Sequence, residues 1–221
     1  MMRRPLQLAC LSVALAAVAA AQFHLPQHLG HSKAQGEDTS WLGQYASPEP
    51  DGRAGELLHD YRFKEFLRDH LKAPQSFWND NESLADTAFE FLSTPGRVLL
   101  RDNRYLAVDG CVPHFCPSRG LLFVDLGSPH PLVAFAAVDW TRDNHSTTQP
   151  GAEYTLWLFA DQQLATDALP APLTAALTQW SGATATGSDR PQNITNLFLV
   201  DPDGTPHPVA PAAAGLTSNH K

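Results

Sequence analysis

The chain has 221 residues, 43% of them hydrophobic, and a formal net charge of −8. That length and apolar content suit one domain with a sizeable core. The acidity argues against nucleic acid and anionic membranes as partners, since both carry the same sign; it suits a basic partner, and equally serves simple solubility.

The first residues have the layout of an export signal. Arg3 and Arg4 supply a positive start, Leu6 to Val18 is an almost unbroken apolar run, and Ala19-Ala20-Ala21 offers the small side chains a signal peptidase reads. Residues 1–21 are therefore expected to be a signal peptide cleaved before Gln22, with the mature protein in the periplasm. The run falls short of the about 20 apolar residues of a membrane span. No later segment looks like one, so no membrane contact is expected after cleavage. Losing Arg3 and Arg4 takes the net charge from −8 to −10. Of the three cysteines, Cys111 and Cys116 remain, and an even count in an oxidising compartment indicates a disulfide.

Residues 22–55 are rich in Gln, His, Gly, Ser, Pro and Glu without a sustained period, the composition of a flexible leader with a short ordered piece around Trp41 to Tyr45. His24, His28 and His31 would share a face only in a helix, which Pro26 and Gly30 oppose. No metal and no cofactor is assigned.

The folded part starts at residue 56. Leu57, Leu58, Tyr61, Phe63, Phe66, Leu67 and Leu71 follow mostly i, i+3, i+4 steps, predicting an amphipathic helix of about four turns that ends before Ala73-Pro74. A second helix is predicted after Asn81, with Leu84, Ala88, Phe89 and Leu92 as its buried stripe. Strands follow. Val98 to Arg101 and Tyr105 to Val108 flank Asp102-Asn103, residues that tolerate the backbone angles of a tight hairpin. Leu121 to Leu126, Leu132 to Trp140 and Tyr154 to Phe159 are the next strands, apolar enough to be covered on both faces in places. Short connections between them favour antiparallel pairing. Pro170 and Pro172 open a third helix with Leu173, Ala176, Leu177 and Trp180 inward, and Ile194 to Val200 is a last strand. Residues 206–221, rich in Ala and Pro, are expected to be a disordered tail. The fold class is α+β: a central antiparallel sheet of about five strands flanked by helices, with a disulfide-closed protruding loop.

That loop, Gly110-Cys111-Val112-Pro113-His114-Phe115-Cys116, is the one dense cluster of special chemistry, with Pro117 stiffening its exit. A disulfide closing so few residues removes about 2 kcal/mol of unfolded-chain freedom. Pro113 fixes one φ and Gly110 lets the chain turn sharply. A side chain held out in this way loses little entropy on docking. His114, near the apex, can donate or accept a hydrogen bond, and between two carboxylates it forms charge-assisted ones. Three other readings stand beside this one. The loop is purely structural; or the cysteines are redox-active; or Cys111, Cys116 and His114 bind zinc. Four residues separate the cysteines, not the two of a thioredoxin-type Cys-Pro-His-Cys, and no helix pattern follows Cys116 to activate a thiolate. Zinc lacks a second ligand pair nearby.

The loop resembles that of the inhibitor of vertebrate lysozyme (Ivy) family of bacterial periplasmic proteins, whose loop reads Cys-Lys-Pro-His-Asp-Cys and follows a strand. The order of elements over about residues 56–200 is similar too, so residues 56–205 form the expected Ivy-like domain. The resemblance implies a non-enzymatic inhibitor whose loop enters the cleft of a c-type lysozyme or related muramidase. His114 would bond the catalytic acid and its companion carboxylate, Cys111 and Cys116 would hold the loop, and Pro113 would shape it. Val112 stands where the family has Lys, and Phe115 where it has Asp, so two loop charges are lost. The alternatives are a periplasmic thiol–disulfide oxidoreductase and a non-inhibitory cell-wall or envelope binding protein. A homodimer is left open.

Overall fold

The computed structural model describes residues 37–141, 145–183 and 191–216. The signal peptide and the His24, His28 and His31 trio lie outside them. Within them the expected leader is partly built into the body. A short helix α1 (Ser40–Gly43) and a 3-10 turn (Gln44–Ala46) bury Leu42 and Tyr45, and Ala54 is buried as well.

The predicted four-turn helix is two helices, α2 (Ala54–His59) and α3 (Tyr61–His70). Asp60 separates them with extended φ/ψ. Its N–H caps the end of α2 by donating to Glu56 and Leu57 carbonyls, while its carboxylate accepts from the Arg62 N–H at the start of α3. Tyr45 donates to the same carboxylate at 2.7 Å. One side chain that caps and pairs thus outweighs the continuous periodicity. Helix α4 (Leu84–Leu92) starts at Ser83, which accepts from the Asp86 N–H and donates to the Asp86 carboxylate. The Ser83 hydroxyl thereby satisfies one of the unpaired N–H groups at the helix start, as an N-cap does.

Seven strands form one sheet in sequence order: β1 (Thr94–Arg101), β2 (Tyr105–Val112), β3 (Phe115–Asp125), β4 (Val133–Trp140), β5 (Glu153–Ala160), β6 (Asn193–Val200) and β7 (Pro206–Pro208). The class is α+β as expected, but the strand count exceeds five and the sheet is mixed. β5 and β6 pair in parallel, because α5 (Ala171–Gly182) lies between them in sequence and a helical crossover returns the chain in the same direction. Asp102 and Asn103 turn the β1–β2 hairpin with φ of 53° and 49°, as their residue types predict.

Both faces of the sheet are covered. On one, Leu122, Val124, Val133 and Phe135 pack with Phe63, Phe91 and Leu92 of α3 and α4; on the other, Leu121, Phe123, Leu156 and Leu158 pack with Leu173, Leu177 and Trp180 of α5. This accounts for the unbroken apolar strands. Residues 206–216 are not a disordered tail. β7 pairs with β6, a 3-10 turn (Pro211–Ala214) follows, and Val209, Ala214 and Leu216 are buried in the α5 core. Three apolar side chains in an Ala/Pro stretch suffice to seat it.

Candidate functional site

The special loop is shorter than its sequence suggests. Gly110, Cys111 and Val112 belong to β2, Phe115 and Cys116 to β3, and Val112 pairs directly with Phe115. Only Pro113 and His114 form the turn, and they are the two exposed residues of the cluster. Pro113 presets φ at the first turn position, and His114 takes the left-handed region at φ 64°. Histidine is among the residue types that tolerate this region. The Cys111–Cys116 disulfide spans the hairpin with its Cα atoms 4.9 Å apart.

Val112 is 6% exposed and sits in the α3/α4 core, with Phe115 packed against the same core. The two positions that carry charge in the Ivy loop therefore hold apolar side chains turned inward. The protruding loop becomes a two-residue tip standing on a buried Val112 and a half-buried Phe115, apolar side chains that gain more from burial than from water. The His114 ring has no hydrogen bond among the described residues, so its donor and acceptor sites face outward.

Gly110 serves a different purpose from the sharp turn expected of it. It lies in an extended strand, and a Cβ there would stand 2.7 Å from the Leu92 carbonyl oxygen, 2.8 Å from the Leu92 Cα and 2.9 Å from the Thr94 oxygen. All three are backbone atoms, which cannot swing away. Gly110→Ala should cost about 1–3 kcal/mol by overpacking, read as a lower urea midpoint with faster amide exchange through Cys111 to Arg119. An unchanged midpoint would contradict the close approach.

Behind the tip, β2 and β3 fall out of register. Cys111 pairs with Arg119 while Val112 pairs with Phe115, so Cys116, Pro117 and Ser118 bulge from β3. Side chains far away in sequence fasten the bulge. Gln192 donates its amide to the Pro117 carbonyl at 2.5 Å, and Ser118 donates to Asp139 at 3.0 Å. Arg119 is 5% exposed, donates to the Gln192 side chain at 2.6 Å and lies over the Trp180 ring at 4.9 Å. Burial pulls its guanidinium down to about 10. On the neighbouring strand, Arg97 pairs with Asp109 at 2.9 Å. The sequence reading missed Arg119, Gln192 and Asp139. Arg119 alone left a signal, as a lone charge entering an apolar strand.

Neither cysteine stands at a helix N-terminus; both lie in strands. Among the described residues no three His, Cys, Asp or Glu side chains gather to hold a metal ion, and no helix is long and apolar enough to cross a membrane. What the arrangement offers is a rigid imidazole on a narrow tip. No family model, curated protein or solved structure matches the chain.

Proposed function

We propose that this chain is an exported, periplasmic, non-enzymatic inhibitor of a c-type lysozyme or related muramidase, acting by inserting the Pro113–His114 tip into the catalytic cleft. The observation that carries this reading is the exposed His114 on a crosslinked two-residue turn whose shoulders, Val112 and Phe115, are anchored in the core. A retaining glycosidase keeps its two carboxyl groups about 5 Å apart, a gap that one imidazole bridges with a hydrogen bond from each nitrogen. Hydrogen bonds from the ring to ionised carboxylates are charge-assisted. The turn is already fixed, so docking orders few side chains. The acidic character of the chain speeds encounter with a basic lysozyme and makes it salt-sensitive.

The test is inhibition of cell-wall lysis by the purified protein, with His114→Ala and the reduced Cys111/Cys116 form beside it. His114→Ala should lose about thirtyfold or more in potency, the scale of a central interface residue, with an unchanged urea midpoint. Reduction should weaken inhibition while the core stays folded. Equal potency of wild type and His114→Ala removes the role of His114. A wild type that retains cell-wall sugar yet inhibits no muramidase replaces the reading with an envelope-binding protein.

A further inference from the structure

A second feature lies at the other end of β2. Tyr105 opens that strand and Val112 closes it, which separates the two ends by about 20–25 Å at strand rise. Near Tyr105 the sheet carries a groove of about 170 Å³. One wall is the flank of α5 (Pro172, Ala175, Ala176 and Gln179); the floor is Leu99, Tyr105, Ala107 and Phe123. The groove exists because α5 directs Leu173, Leu177 and Trp180 toward the inner strands, while Ala107, Ala175 and Ala176 are too small to close the gap to the β1–β2 hairpin. The Tyr105 and Phe123 rings stack 18° from parallel with centroids 6.2 Å apart, so the floor is the half-buried Tyr105 backed by the buried Phe123.

The mouth has a different chemistry. Arg101 and Asp102, adjacent in the chain, line it with opposite charges. The Arg101 guanidinium reaches across from β1 and donates to the Gln179 side chain on α5 at 2.6 Å, which leaves further N–H donors on a planar fork. Asp102, exposed on its left-handed turn, has no hydrogen-bond or ion-pair partner among the described residues.

An apolar cavity of about 150 Å³ accommodates one benzene ring, so this groove has room for a single ring and little more. From the pairing of that room with one cation and one anion at the rim, we infer that the groove binds a small aromatic zwitterion of the aromatic α-amino acid class. The ring lies against Tyr105, which Phe123 backs, under Ala175 and Ala176. The carboxylate meets Arg101 and the ammonium group meets Asp102. A purely anionic ligand leaves Asp102 as a repelling neighbour, and a purely cationic one leaves Arg101 so; the zwitterion satisfies both. The inference does not rest on the inhibitor reading, since the groove lies about 20–25 Å along β2 from the tip.

The experiment is an NMR titration of the full mature chain with L-phenylalanine, 3-phenylpropionate, phenethylamine and L-alanine. Amide shifts are followed over residues 99–107 and 172–179. L-Phenylalanine should shift the groove amides saturably. Each of the three analogues should bind about tenfold to a hundredfold more weakly, the scale of one lost charge-assisted bond or of the ring. Ala175→Phe, at an exposed helix position that leaves folding intact, should fill the groove and abolish the shifts. No groove shift with L-phenylalanine at about 10 mM overturns the site. Equal binding of 3-phenylpropionate or phenethylamine overturns the zwitterion class, and binding unaffected by Ala175→Phe overturns the location.

Discussion

Phe91→Ala should destabilise the protein by about 3–5 kcal/mol, the upper range for a truncated core aromatic. Phe91 is fully buried on α4 and its ring touches three others: Trp78 at 4.8 Å edge-on, Phe77 at 5.8 Å, and Phe135 of β4 at 6.2 Å edge-on. Beneath it lies Gly120, where a Cβ would come within 2.9 Å of the Phe91 Cβ and 3.1 Å of the Phe135 ring. A side chain at 120 could fall into the space that truncation opens; glycine has none to offer, so the cavity stays. The effect extends beyond the helix. α4 ends at Leu92, whose backbone braces Gly110, so a loosened α4 should also raise amide exchange at the tip. The check is the urea midpoint with an unchanged m-value. A loss below about 1 kcal/mol would mean the site collapses and the bracing is not rigid.

The second large effect involves His70 at the end of α3. Its Nδ1 lies 2.8 Å from Asp161 and its Nε2 lies 2.7 Å from Glu37, with the ring side chain 12% exposed. A carboxylate only accepts, so both ring nitrogens must donate, and only the imidazolium does that. Burial works against the charge, but the hydrogen bonds that His70 donates to Asp161 and Glu37 outweigh it and hold its pKa above the ordinary value. The sign follows from linkage. With the folded pKa raised, this contribution is fully present below the unfolded value of about 6.5 and is lost as pH rises through the folded pKa. His70→Ala should cost about 2–3 kcal/mol at pH 6, less than a wholly buried pair because Glu37 is 42% exposed. The difference between wild type and variant should shrink steadily above that unfolded value. A difference that stays constant from pH 6 to pH 9 would show that the ring is neutral throughout.

Much of the frame was legible because local chemistry and tertiary packing agree there. The Asp102-Asn103 turn, the Ser83 start of α4 and the Pro172 start of α5 each carry their own instruction. The class itself follows from where the period changes. What escaped was decided by partners far away in sequence. Asp60 breaks a helix where Tyr45, 15 positions away, donates to its carboxylate. The parallel pairing of β5 with β6 depends on where α5 packs, which spacing does not encode. At the tip, cysteine count and Pro-His gave the crosslink and the exposed imidazole. The inward turn of Val112 and Phe115 depends on the α3/α4 core lying beneath. Arg119 and Gln192 are 73 positions apart, and no local pattern joins them.

The borders of the sheet bear on self-association. β7 presents only three residues, two of them prolines without an N–H, and at the opposite border β1 begins Thr94-Pro95 and spends its Val98 N–H on the Asp51 carbonyl. Short length, proline and the Asp51 contact blunt parts of these margins, while residues 193–196 of β6 run beyond the stretch that β7 covers. Lateral strand addition is therefore opposed where β7 and the Asp51 contact already occupy the sheet border.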